Sequence, residues 1–147
     1  MQDFQFKIIS QDDIPEILIL SHYLGTRVWN HSDYLEVISS GNMHGLIVKL
    51  ESKVIAFVIY TVVVDEMEIL QIVVHPEHQC QHIGSRVMQF LLELCREKLL
   101  KKIYLEVASS NHRAIAFYNK FGFKDLHIRH NYYFNGDSAI IKEIVLQ

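Results

Sequence analysis

The sequence predicts a mixed α/β domain, one largely antiparallel sheet with helices on its faces. Three observations carry that prediction. Strand-like apolar stretches recur along the chain, and His44–Leu50, Val54–Val64 and Ile69–Val74 follow one another across turns too short to hold a helix. Two amphipathic stretches of helical period, Ile83–Cys95 and Asn111–Lys120, then interrupt the strand pattern. The chain has 147 residues, half of them hydrophobic and only two of them proline, which is enough apolar surface for one core and one domain over residues 1–147.

In chain order, Phe4, Phe6 and Ile8 alternate with Gln5, Lys7 and Ile9 as a first strand. Ser10 can cap a helix over Asp12–Leu24, with Pro15 in its first turn, where a missing N–H costs little, and with Gly25 to end it. The following GTRVWNH is irregular and holds the single tryptophan, Trp29; Ser32 can then cap a short helix over Asp33–Ile38. After a loop at 39–42 come the three adjacent strands, an antiparallel meander turning at 51–53 and 65–66. Ile69 to Val74 is rich in β-branched residues, suiting a buried strand. A polar turn from His75 to His82 leads into the long amphipathic helix. Ile103, Leu105 and Val107 alternate with Tyr104 and Glu106, and the next helix stops at Gly122. Phe123–Tyr133 and Ser138–Val145 pair as a final long hairpin around Asn135-Gly136-Asp137. The element order is β-α-α-β-β-β-α-β-α-β-β.

Composition narrows the function. A net charge of -3 argues against a general affinity for nucleic acid, which needs a basic face. No apolar run approaches the length of a membrane span, and MQDFQFKIIS lacks the pattern of a signal peptide. Cys80 and Cys95 give no disulfide framework. A soluble protein of the reducing cytoplasm is the expectation.

Several constellations carry chemistry. The strand, loop and helix start between Ile69 and Lys98 form an arrangement whose free N–H groups and helix dipole can hold a phosphate, although many such junctions only connect. His75, His78, Cys80 and His82 are four metal-ligand types crowded into one loop, unlike the usual separated pairs, so no metal is expected. Cys80 has no evident activating partner, which argues against a covalent route. Taken singly, Glu106 reads as an exposed strand residue and Tyr118 as a core tyrosine. Glu66 and Glu68 share a strand face and could attract a cationic amine, though such pairs are more often a solvated edge.

A specific set of residues goes further. It comprises Leu105-Glu106-Val107, Ser110-Asn111 with Ala114-Ile115-Ala116-Phe117-Tyr118, and Phe121-Gly122-Phe123. Arg129 with Asn131-Tyr132-Tyr133, and Asp137 with Ala139-Ile140-Ile141, complete it. Together with the element order, these resemble the GNAT superfamily of acetyl-CoA-dependent N-acetyltransferases over nearly the whole chain. The Arg-x-Asn-Tyr-Tyr and Asp-x-Ala-Ile-Ile segments resemble its RimI-type branch, which acetylates the N-terminus of a small-subunit ribosomal protein.

The resemblance implies a GNAT fold, a central mixed sheet flanked by about four helices and splayed between its central parallel strands. Acetyl-CoA would be the cosubstrate, with no metal. Main-chain groups of Ile72, Val73 and Val74 would bond its pantetheine arm. The loop and helix start carrying Gln79, Cys80, Gln81, His82, Ile83, Gly84 and Ser85 would cradle its pyrophosphate, and Asn111 and Tyr118 would also touch it. Glu106 would be the general base and Tyr118 the general acid in direct transfer to a protein N-terminal amine. Trp29, Tyr132 and Tyr133 would shape the acceptor site.

Two positions depart from the family pattern. His82 stands where the phosphate loop has its first glycine; a left-handed backbone there costs a non-glycine residue about 1–2 kcal/mol. Val28 precedes Trp29 where the RimI-type branch usually has proline. The competing readings are an acetyltransferase of broader protein or small-amine range, and a silent CoA-binding domain whose only support is His82. The sequence leaves the oligomeric state open.

Overall fold

The computed structural model describes residues 3–25 and 28–146. Its strands are β1 (Phe4–Ile8), β2 (Met43–Leu50), β3 (Lys53–Val63), β4 (Glu66–Val74), β5 (Lys102–Ala108), β6 (Lys124–Arg129) and β7 (Ala139–Val145). The helices are α1 (Ile14–Ser21), α2 (His31–Ser39), α3 (Ile83–Glu97) and α4 (His112–Lys120). All seven strands join one sheet in the order β1-β2-β3-β4-β5-β7-β6, antiparallel throughout except between β4 and β5. The element order is the one the alternation and helical periods predict.

Each face of the sheet buries its own apolar cluster. On one, Ile14, Ile17, Leu20, Tyr34 and Val37 from α1 and α2 meet Ile47, Phe57, Ile59 and Val73. On the other, Val87, Met88, Leu91 and Cys95 of α3 and Tyr118 of α4 meet Val58, Met67, Ile69, Ile103, Leu105 and Val107. Burial of each such aliphatic side chain is worth about 1.5–3 kcal/mol, so the helices are held by their apolar stripes rather than by intrinsic propensity.

The feature that positions the site lies between β4 and β5. Their parallel ladder runs from Glu66 opposite Lys102 to Ile69 opposite Leu105 and stops there. Opposite β3, Tyr60 pairs with Ile69 and Ile59 with Gln71, so Leu70 is an extra residue, a β-bulge at the point of parting. A bulge bends its strand. Beyond it, β4 stays paired with β3 as far as Val74, and β5 with β7 as far as Ala108. The two central strands therefore diverge, each keeping its outer partner.

Three local readings need correction. The first helix is broken into a 3₁₀ turn at Gln11–Asp13, α1, and a second 3₁₀ turn at His22–Leu24 before left-handed Gly25. Pro15 has no N–H to extend the α-helical ladder backward. The second helix is capped by Asn30 instead of Ser32: Asn30 Oδ1 accepts from Asp33 N at 3.0 Å, and Asp33 Oδ2 accepts from Asn30 N at 2.8 Å. The final hairpin is shorter than predicted, because Asn131 turns left-handed (φ 52°) just after β6. Tyr132 and Tyr133 N–H both donate to Asp137 O at 3.0 Å, so residues 130–138 fold as a loop on themselves.

Candidate active site

The cleft grows from the strand end upward. After Val74, a 3₁₀ turn at Pro76–His78 reverses the chain, and Gln79 Nε2 donates to Val74 O at 3.1 Å, folding the loop back onto β4. Cys80 (φ 64°) and His82 (φ 63°) are both left-handed. Among the described residues the backbone N–H groups of 80–85 find no internal acceptor; the first to do so is Arg86, bonded to His82 O at 3.0 Å. Consecutive free donors at a helix N-terminus form an anion-binding nest. Gly84 faces α4, where a Cβ would meet the Phe117 ring at an ordinary contact distance of 3.4 Å. The Arg113 guanidinium adds a fixed cation, its Nη2 3.1 Å from Cys80 Sγ.

This nest opens into a cleft of about 410 Å³ that runs along the free edge of β4 to Tyr118. Ile72, Val73, Val74, Gln79, Cys80, His82, Ile83, Gly84, Ser85, Asn111 and Tyr118 border it. Gln81 does not, although its backbone N–H is among the free donors of the nest. It sits between the two left-handed residues with its side chain in solvent, where Oε1 lies 3.4 Å from His78 Nδ1. Asn111 serves two purposes: it borders the cleft, and its Oδ1 accepts from Ala114 N at 3.2 Å to cap α4. His82 has a left-handed backbone, at the cost of about 1–2 kcal/mol that a Cβ imposes there.

Sequence reasoning missed Tyr23, His78, Arg113, Ala114 and Phe117, which also line the cleft. Ala114 and Phe117 lie in the apolar stripe of α4, and nothing in their spacing tells a core flank from a cleft wall. Tyr23 follows α1 and meets the His75 ring edge-on at 5.6 Å, a contact without a sequence signal.

The two expected catalytic residues approach the parting of the sheet from opposite faces. Tyr118 is buried, and burial pushes its phenol up to about 12. Its hydroxyl has no hydrogen-bond partner among the described residues. Glu106 is exposed and is the first β5 residue beyond the ladder with β4, on the face opposite Leu105 and Val107. Its Oε2 accepts from the Tyr133 hydroxyl at 2.8 Å. Tyr133 packs edge-to-face with Tyr132 at 5.3 Å, and Arg129 stands over Tyr132 at 5.5 Å. The Trp29 ring lies 5.4 Å from that of Tyr34, against the α1–α2 core. His75 Nδ1 accepts from Glu77 N, and among the described residues no three His, Cys, Asp or Glu side chains converge as metal ligands. None of the described helices is long and apolar enough to cross a membrane.

Comparison with known proteins agrees with this geometry. The profile of the acetyltransferase (GNAT) family, whose members generally use acetyl-CoA, matches residues 12–123. The chain is similar to a Bacillus subtilis protein provisionally named a ribosomal protein bS18-alanine N-acetyltransferase, 31% identical over 137 residues, or 92% of this chain and 91% of that one. It is 38% identical over 81 residues, 55% of each chain, to the ribosomal protein bS18-alanine N-acetyltransferase of Escherichia coli K12. The crystal structure of the ribosomal-protein-S18-alanine N-acetyltransferase from Escherichia coli superposes with a TM-score of 0.89 at 26% identity, covering 99% of this chain and 95% of that one. A profile over most of the chain and a fold shared along nearly all of it lead to one assignment: the chain belongs to the acetyltransferase (GNAT) family and is an N-acetyltransferase similar to RimI.

Proposed function

We propose that this single domain transfers acetyl from acetyl-CoA to the α-amino group of a protein N-terminus, that of ribosomal protein bS18, in the cytoplasm. The observation that carries this reading is the parting of β4 and β5 with Glu106 on one side and Tyr118 on the other. The residues present fit acetyl-CoA. A free strand edge at Ile72–Val74 offers main-chain groups to an amide-bearing arm, and the nest at 80–85 with Arg113 offers donors and charge to phosphates.

Bound there, acetyl-CoA supplies a thioester carbonyl for attack and a thiolate as leaving group. The protein's part is proton management. A peptide α-amine has a pKa of about 7.7–8.0, so a carboxylate such as Glu106 is base enough to free it near neutral pH. Tyr118 keeps its proton throughout that range, its phenol being raised to about 12, and is the donor for the departing sulfur. Tyr133 orients Glu106, and with Trp29 and Tyr132 it shapes the acceptor side.

The test is mass spectrometry of a mixed pool of N-terminal peptides, polyamines and aminoglycosides after incubation with labelled acetyl-CoA. The expected result is label on peptides beginning with alanine. Label spread over small amines would favour the broader acetyltransferase, and acetyl-CoA binding without label on any acceptor would favour the silent domain.

A further inference from the structure

The loop that presents Tyr133 has no apolar anchor. Of the described residues 130–138 none is buried, and Phe134 is fully exposed. Hydrogen bonds therefore decide where the loop sits, and Asp137 collects them. Its main-chain oxygen accepts from Tyr132 and Tyr133 N–H, and its own N–H donates to Asn135 Oδ1 at 3.0 Å. Its carboxylate reaches off the loop. Oδ2 accepts from the Ser110 hydroxyl, and from Asn135 Nδ2 at 3.0 Å. Ser110 follows the end of β5 and directly precedes Asn111, which caps α4 and borders the cleft. Beside this contact, Ser109 N donates to Ser138 O at 2.8 Å, and Ser109 Oγ accepts from Ser138 N at 3.0 Å. The other end of the loop meets the same chain segment through the Tyr133 hydroxyl on Glu106.

We infer that Asp137 is a positioning residue: anchored through Ser110, it sets the Tyr132-Tyr133 segment and, through the Tyr133 hydroxyl, the aim of the Glu106 carboxylate. The inference rests on the acetyl-transfer reading above and extends it. A loop pinned at one point pivots about it. Pinned at both Ser110 and Glu106, on one short run of chain, it keeps one orientation. The bond at Ser110 is the firmer of the loop's polar contacts in kind, because a hydroxyl donating to a carboxylate is charge-assisted. Without that carboxylate, Tyr133 keeps its ring but loses the support that presents its hydroxyl to the base. Asp137 acts through Tyr133 and is not itself a catalytic residue.

A double-mutant cycle tests this, read by steady-state kinetics of the full chain with acetyl-CoA and a hexapeptide beginning with alanine. Asp137→Ala should lower kcat about tenfold, the loss expected for one charge-assisted contact, and leave the acetyl-CoA KM little changed. Ser110→Ala, at an exposed position that spares the fold, should lower kcat in the same way, and Ser110→Thr, which keeps the hydroxyl, should restore it. Combined with Tyr133→Phe, Asp137→Ala should cost little more than either change alone, because both break one chain of contacts. Losses that multiply to about a hundredfold in the double variant would show independent roles and overturn the inference. So would wild-type kcat in Asp137→Ala or Ser110→Ala, or a loss in acetyl-CoA KM as large as that in kcat. A wild type that does not acetylate the peptide overturns the acetyl-transfer reading and this inference with it.

Discussion

The Tyr133 hydroxyl donates to Glu106 Oε2 across 2.8 Å, tying the loop after β6 to the strand at which the sheet parts. That bond fixes the carboxylate and holds down the loop after β6 at once. Tyr133→Phe should lower kcat about tenfold with the fold intact, the smaller effect of a positioning group. Glu106→Gln and Tyr118→Phe should each cost roughly 10²–10⁴-fold in kcat. Steady-state rates on an N-terminal-alanine peptide check all three; unimpaired turnover in both Glu106→Gln and Tyr118→Phe would remove the assigned roles.

His82 bears a histidine side chain on a backbone at φ 63°. Glycine adopts that conformation without steric penalty, so His82→Gly should raise stability by about 1 kcal/mol in urea unfolding. Because the left-handed turn already exists with histidine, calorimetry should find similar acetyl-CoA affinities for the two proteins. A destabilised His82→Gly would show that the imidazole makes an interaction worth more than the strain.

Asp13 is buried where β1 meets the first helical turn. Burial alone would raise its carboxyl, but hydrogen bonds from Lys7, Ser10 N–H and the Ser10 hydroxyl outweigh it and bring the pKa from 3.8 down to about 2. Lys49 adds a second ion pair at 3.4 Å. A depressed carboxylate contributes stability above its unfolded pKa and loses it as pH falls toward the folded one. The wild type should therefore exceed Asp13→Asn by roughly 2 kcal/mol at pH 7, with the gap shrinking below pH 4. Urea unfolding from pH 7 down to 3 gives the profile; a gap independent of pH would contradict it.

The two cysteines should behave oppositely toward a thiol reagent. Cys80 is exposed on the turn before α3, whereas Cys95 is buried on the inner face of α3, which pushes its thiol up to about 11. In native protein at pH 8, Cys80 should react with a disulfide reagent and Cys95 should wait for unfolding. Saturating acetyl-CoA should also slow the reaction at Cys80, which borders the cleft.

Much of this architecture is legible in the chain, and the exceptions are instructive. Alternation in Ile103, Leu105 and Val107 separates the buried face of β5 from Tyr104 and Glu106 without any structure, because a strand has only two sides. Gly122 marks the end of α4 because a left-handed residue closes a helix cheaply. Lys142 would be read as a solvated charge, yet it is buried, with its Nζ 2.7 Å from Asn119 Oδ1 and 2.6 Å from Asp125 Oδ1. That pocket is assembled from α4, β6 and β7, which only the tertiary fold brings together. The same holds for Arg113 against Cys80: spacing along the chain carries no information about partners on another element.

The extra residue at Leu70 has a consequence for how this protein trades robustness for work. Without it, the parallel ladder would have no reason to end at Ile69, and the chain would gain interstrand bonds over the last turns of both strands. A single-residue deletion of Leu70 should accordingly yield a protein that still folds, resists heat at least as well as its parent, and has lost its grip on acetyl-CoA. In that sense the enzyme keeps a seam deliberately unsewn.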